Sequence, residues 1–424
     1  MDRRDFLKTA ALAAGALNFE CVNSSVASAC KKTTVNTLKK PAAIAMWDFS
    51  WLLRHHKGGE FENWDMVLDG LAERGYNAVR IDTFPQLIAA DENGKIEERF
   101  YCPKHDWKPA MWGNDVTCYI EPRKGLLEFM SKCKDRGVYV GLSTWFRGED
   151  SHRESRLKGQ DGFIRVWDET LTFLNDNGQM DNVIYVDLLN EYPLWHGFGW
   201  LHAEIAKRKS ESADGEQAKK DHLLNNRICK YNAAQVKFYR DFMSNTLKYF
   251  KNKWSDEAFM YCFTNTDDVP WEAMEVSLLD CLDVHFWFIQ HGGLSGSTGY
   301  WNDIHNMPND VNFAKCYAAM KAYWKEHKTE LISWMDKRIK HVVDVAAEHK
   351  IAAGNTEGWG AVCWLDNPNL DWKFIKEAGL TCAELGAKHN YRFNCSSNFT
   401  HPQFKGIWDD VKWHKQVTSV IRNI

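Results

Sequence analysis

Two acidic residues in this sequence stand where a carboxyl group can do chemistry. Glu191 follows Asn190 directly after Val183-Ile184-Tyr185-Val186-Asp187-Leu188-Leu189, an apolar run of strand length. A carboxylic acid at a strand end can protonate a leaving oxygen if an apolar wall or a second carboxylate raises its pKa. Glu357 stands in Gly354-Asn355-Thr356-Glu357-Gly358-Trp359-Gly360, just past another short apolar run. Its flanking glycines let backbone and side chain approach a ligand closely. Cleavage of a glycosidic bond asks for two carboxyls across the scissile bond, and these two are the obvious pair. A lone Glu after a strand is ordinarily a solvated loop residue or a helix cap. Two of them at strand ends, each with an Asn or Trp beside it, fit that explanation poorly.

Both residues belong to one rhythm of short apolar strand followed by amphipathic helix. The expected strands are Ala42–Trp47, Asn77–Ile81, Val138–Ser143, Val183–Leu189, Ala258–Phe263, Val284–Phe288, Ile351–Gly354 and Ala361–Leu365. Helices fit between them at Trp64–Glu73, Gly125–Arg136, Phe163–Asn177, Asn232–Lys251, Trp271–Leu279, Phe313–His349 (broken or paired) and Trp372–Lys388. Eight strands in this alternation predict an α/β protein of the (β/α)8 TIM barrel class. A doubly wound open sheet is the alternative, but no G-x-G-x-x-G turn follows an early strand. Several strands end in polar or aromatic residues: Asp48, Arg80 and Asp82, Trp145, Asn190 and Glu191, His285, Glu357. Barrel enzymes build their sites at those ends. Long insertions after strand 2 (Phe84 to Tyr119) and strand 4 (Tyr192 to Asn226) are expected to wall a groove over the mouth. The tail from Tyr391 onward shows no second domain, so residues 41–424 read as a single catalytic barrel.

The Asn-Glu pair after strand 4 and the Glu after strand 7 resemble the signature of the large barrel clan of retaining glycosidases, especially its cellulase-like family 5 relatives. At the level of strand order the resemblance runs from Ala42 to about Lys388. It implies Glu191 as acid/base, Glu357 as nucleophile, and Asn190 as the contact to the sugar 2-hydroxyl, where hydrogen bonds strengthen in the transition state. Arg80 resembles the clan's arginine that keeps the nucleophile ionised; a salt bridge locking the barrel mouth would look similar. Clan members often carry a His followed two residues later by a Tyr that bonds the nucleophile. Here His285 is followed by Trp287, so either Trp287 stacks on sugar while another donor serves Glu357, or the alignment shifts by a residue. Trp364 resembles the clan's aromatic floor beneath the sugar, with a packed core Trp as the alternative, and Asp366 is placed to bond hydroxyls. Asp48, Trp145 and Trp359 complete the expected carbohydrate-binding set, with Trp195, His196, Trp107, Trp112 and His291 as further lining candidates. No metal or organic cofactor is required. The rival readings are a metal-dependent hydrolase or lyase on the same barrel, which no tight His/Asp cluster supports, and a non-catalytic glycan-binding protein.

Composition agrees with a soluble partner for carbohydrate. The 424 residues carry 20 Trp, a residue suited to stacking on flat ligand faces as well as to cores. The net charge of -4 and the absence of a long basic stripe argue against nucleic acid. Arg3-Arg4-Asp5-Phe6-Leu7-Lys8, an apolar run to Leu17 and the small residues before Cys30 read as a twin-arginine-like export signal over residues 1–30. A polar linker, 31–40, follows. The apolar run is too short to span a bilayer, and Cys30 is a candidate lipid anchor, so export to the periplasm or cell surface is expected. Most of the 12 Cys read as small buried hydrophobes; Cys102 and Cys118 are the expected disulfide pair in an oxidising compartment.

Overall fold

A computed structural model describes residues 32–104, 114–194, 198–210, 223–224, 227–228, 231–264, 271–305, 309–360, 367–398 and 400–423. The export segment with Cys30 lies outside them, as do Trp107, Trp112, Trp195, His196, Trp364 and Asp366.

The first strand, β1 (Ala42–Asp48), is buried along its whole length. That is what a near-continuous apolar run requires when helices or other strands cover both faces of a parallel sheet. The chain then alternates: α1 (Trp64–Glu73), β2 (Ala78–Asp82), α2 (Pro122–Asp135), β3 (Tyr139–Ser143), α3 (Gly159–Asp176), β4 (Val183–Asp187) and α4 (Ala233–Lys253). A strand in two pieces follows, β5 (Phe259–Met260 and Cys262–Thr264), then β6 (Cys281–Trp287), α5 (Asp310–His349), β7 (Ala352–Asn355), α6 (Trp372–Lys388), β8 (Phe393–Cys395) and α7 (Val411–Arg422). All pairings of these strands are parallel, in the order Cys262–Thr264, β6, β7, β8, β1, β2, β3, β4, Phe259–Met260. The result is a curled parallel sheet whose two ends are the two halves of β5.

The helices start where their caps say they should. The Asn63 side chain accepts from Met66 N–H at α1, Asp371 from Phe374 N–H at α6, and Asn232 forms a capping box with Gln235 at α4, each satisfying an orphan donor of the first turn. In α1 the residues Trp64, Val67, Leu68 and Leu71 are buried, the one-sided spacing of a helix lying on a sheet.

Two expectations change and a third is met. Trp271–Leu279 is two short 3₁₀ turns, Trp271–Ala273 and Val276–Leu278; so short a segment has little helical stability of its own. The long helix, expected to be broken or paired, does break: Asp310–His349 is interrupted at His327, whose φ/ψ (-111°, 15°) are not helical. The strand between β7 and β1 is Phe393–Cys395, from the supposed tail, rather than Ala361–Leu365, of which nothing is described. Asn390 takes a left-handed conformation (φ 62°) after α6, which stops the helix just ahead of β8. Within the strand 2 insertion, Phe100–Cys102 pairs antiparallel with Cys118–Ile120, placing Cys102 opposite Cys118, and both thiols are free. No helix among the described residues is long and apolar enough to cross a membrane.

Candidate active site

Strands β2, β4 and β6 are buried on both faces, so the polar residues within them are enclosed as well. Arg80 in β2, Asp187 in β4, and Asp283 with His285 in β6 are all buried there. Gly141 in β3 makes room for this layer. It is the register partner of both Arg80 and Tyr185, and a Cβ on it would meet the Tyr185 ring and hydroxyl at 2.1 Å.

At the strand ends these groups converge. Arg80 Nη1 donates to Glu357 Oε2 at 3.1 Å, its Nη2 donates to Asn190 Oδ1, and Asp48 Oδ1 lies 3.7 Å away. His285 Nδ1 is 3.1 Å from Glu191 Oε1 and 3.7 Å from Glu357 Oε2. Its Nε2 is 3.3 Å from Thr356 Oγ1 and 3.7 Å from Asp283 Oδ2. Asp283 in turn accepts from the Thr356 hydroxyl at 2.6 Å and the Thr356 N–H at 3.1 Å. One carboxyl oxygen each from Glu191 and Glu357 and a ring nitrogen of His285 all lie within 4.8 Å of one another.

A second set of contacts holds Asn190 and Glu191 from behind. The Cys262 sulfur accepts from Glu191 N–H at 3.1 Å and lies 3.0 Å from both Asp187 Oδ2 and Asn190 Oδ1. Asp187 also accepts from the Ser143 hydroxyl at 2.7 Å and from Cys262 N–H at 3.0 Å. Asn190 N–H donates to Thr144 O at 2.8 Å. The Asn190 Nδ2 group is buried with no protein partner, a donor left over for something else.

The electrostatics follow from burial and proximity. Burial and the Glu191 carboxylate push the Glu357 carboxyl up, to about 8, against the pull of His285 and Arg80. The like charge of Glu191 adds to burial in disfavouring the Glu357 anion. Burial alone would lower the His285 pKa, but Cys262, Asp283 and Glu357 outweigh it and hold the ring well above its usual range. Burial likewise disfavours the Arg80 cation, while Asp48 and Glu357 keep it firmly charged.

The backbone is strained where the strands end. Asp48 (φ 37°), Phe84 (φ 53°), Phe146 (φ 45°) and Glu191 (φ 48°) are all left-handed, at or shortly after the ends of β1 to β4. Side chains larger than glycine rarely sit there, and such strain concentrates at functional sites.

The expected residues divide into three groups. Asp48, Arg80, Asn190, Glu191, His285 and Glu357 are brought together. The Trp145 backbone N–H donates to Asp82 Oδ2 at 2.8 Å, at the end of β2. Trp287 closes β6 half-buried, its backbone bonded to Gln290, and the partners of Glu357 are Arg80 and His285 instead. Trp359 overturns its expectation: its ring is fully buried and its indole N–H donates to Cys395 O at 3.0 Å, so it is a core residue with no face for a ligand. His291 lies apart, 3.6 Å from Glu330. Sequence reasoning missed Asp187, Cys262, Asp283 and Thr356; the period-two partnership of Asp283 with His285 was the signal available.

Glu191, His285 and Glu357 have the spacing to hold a metal ion. Arg80, however, already places a cation 3.1 Å from the Glu357 oxygen, which disfavours a second one there.

A family model described as cellulase-like, sugar-binding cellulase-like, matches residues 44–422. Among solved structures the chain is similar to a candidate glycoside hydrolase from Parabacteroides distasonis, at 30% identity and a TM-score of 0.74, covering 90% of this chain and 94% of that one. It shares its fold with the cellulose synthase subunit Z of Clostridioides difficile (11% identity, TM-score 0.51, 90% and 99% covered). The same holds for a family 5 xyloglucanase from Paenibacillus pabuli (10% identity, TM-score 0.51, 91% and 99% covered). No curated protein matches the sequence. Since the family match runs from within β1 to the last turn of α7, taking in the whole sheet that gathers the two carboxyls, the chain belongs to the sugar-binding, cellulase-like family and has its carbohydrate-active hydrolase fold.

Proposed function

We propose that this protein is a glycoside hydrolase that cleaves β-glycosidic bonds in a poly- or oligosaccharide with retention of configuration. The observation that carries the mechanism is the approach of Glu191 and Glu357 carboxyl oxygens to within 4.8 Å. Retaining enzymes hold their carboxyls about 5 to 5.5 Å apart, and inverting ones about 6.5 to 9.5 Å apart to admit a water. Arg80, at 3.1 Å from Glu357, opposes the burial that raises the Glu357 carboxyl and so supports that residue as the anion that attacks.

In this scheme the Glu357 carboxylate attacks the anomeric carbon while Glu191 gives its proton to the departing glycosidic oxygen. The carbon–oxygen bond breaks and a glycosyl ester forms on Glu357. Glu191, now ionised, takes a proton from water as it displaces Glu357. The unpartnered Asn190 amide suits the sugar 2-hydroxyl, and Trp145 and Asp48 flank the sugar. The scaffold reads as a closed (β/α)8 barrel, joined through the two halves of β5, with the insertions after β2 and β4 walling the groove. Export to the periplasm or cell surface, supported by the Arg3-Arg4 pattern and with Cys30 as a lipid anchor site, fits a polymeric substrate.

The test uses activated aryl β-glycosides and product analysis by NMR. Glu191→Gln and Glu357→Gln should each lower turnover by at least about a hundredfold. Azide should rescue an acid/base variant at Glu191, giving a β-glycosyl azide. Full activity in both variants, or an α-configured first product, would overturn the scheme.

A further inference from the structure

The backbone that carries Glu191 is tied down through three consecutive N–H groups. Asn190 N–H donates to Thr144 O at 2.8 Å, and Tyr192 N–H donates to Cys262 O at 2.9 Å. Between them, Glu191 N–H donates to the Cys262 sulfur at 3.1 Å. Cys262 therefore holds two successive amides, one on each side of the Glu191 α-carbon. Glu191 is left-handed there, at φ 48°, a conformation that side chains larger than glycine keep only where surrounding contacts impose it. A relaxed backbone would turn the Glu191 side chain and draw its carboxyl away from His285, now at 3.1 Å, and from Glu357.

Cys262 is in turn anchored on Asp187. Its N–H donates to Asp187 Oδ1 at 3.0 Å, and its sulfur lies 3.0 Å from Asp187 Oδ2, the oxygen that also accepts from the Ser143 hydroxyl at 2.7 Å. Burial and the Asp187 carboxylate push the thiol well above its usual range. The sulfur thus keeps its proton for Asp187 and its lone pairs for Glu191 N–H. Ser143, Asp187, Asn190 and Cys262 are all enclosed, so bulk water does not replace a partner lost among them. Of the three ties on residues 190–192, only the one to the sulfur is made by a side chain. A substitution can remove it and leave the other two in place.

We propose that Cys262 is a positioning residue for the acid/base: its thiol, anchored on Asp187, keeps Glu191 in the left-handed conformation that aims its carboxyl at the glycosidic oxygen. This rests on Glu191 being the acid. Loss of the thiol weakens proton donation to the leaving group more than it weakens attack by Glu357, which Arg80 holds separately at 3.1 Å.

The experiment compares kcat/KM for phenyl and 2,4-dinitrophenyl β-glycosides that share one accepted sugar. Phenolate needs a proton to leave, whereas dinitrophenolate departs without one. Cys262→Ala should lose about tenfold more on the phenyl glycoside than on the dinitrophenyl one, with an unchanged circular dichroism spectrum. Cys262→Ser, which keeps a donor and an acceptor, should restore most of that difference. Cys262→Val fills the space without either bond and gives the same reading if the alanine variant does not fold. Equal losses on both substrates would mark Cys262 as structural, and no loss on either would equally overturn the proposal. Glu191→Gln, measured alongside, separates the two readings. No bias against the phenyl glycoside in that variant defeats the assignment of the acid; a bias there with none at Cys262 defeats only this proposal.

Discussion

Asp82 ends β2 sealed from water, and burial outweighs its three hydrogen bonds, pushing its carboxyl up to about 7. A carboxyl whose folded pKa exceeds its unfolded value holds its proton longer in the native state. Stability therefore falls as pH rises from about 4 to about 7, with a ceiling of about 4 kcal/mol for this group. Urea denaturation of the wild type across that range should show the decline, and Asp82→Asn should flatten it; an unchanged slope in the variant would count against the assignment. At this scale the sequence was most legible where chemistry and spacing coincide. Glu191, Glu357, Asn190, Arg80 and His285 were readable because each is polar at the end of, or inside, an otherwise apolar strand. Cys262 was not, since a thiol in a buried run looks like a small hydrophobe until its neighbours are known. Trp359 misled for the opposite reason: an aromatic beside a candidate nucleophile suggests a sugar platform, and only its bond to Cys395 O assigns it to the core.

Among the elements, β3 shows how closely the interior is fitted. Gly141 faces Tyr185 across the register, and the space a Cβ needs is filled by the tyrosine ring. Gly141→Ala should cost about 1 to 3 kcal/mol by overpacking and disturb the layer beneath Arg80; chemical denaturation at constant m-value would measure it, and a neutral result would mean that the ring can move aside. Long helices with caps were legible, α1 and α6 to the residue, because a cap and a one-sided apolar stripe agree there. The eighth strand was not. Phe393-Asn394-Cys395 is too short to display a period, and the more apolar Ala361–Leu365 drew the assignment.

For the molecule as a whole, that error concerns what the C-terminus is for. β8 bridges β7 and β1, and α7 buries Trp413, Val417 and Ile421, so the supposed tail completes the sheet. A chain ending at Asn390 should fail to give a folded, soluble protein; a cooperative thermal transition in that truncation would refute this. The strain at the strand ends bears on how such a protein can evolve. Asp48, Phe84, Phe146 and Glu191 hold conformations that cost about 1 to 2 kcal/mol per residue in a left-handed helix. Selection for heat resistance alone would find some of its easiest gains at this rim, in replacements that relax the backbone and remove buried charge. Two of the four, Asp48 and Glu191, belong to the proposed site, so a hardier descendant of this chain is prone to be a poorer catalyst.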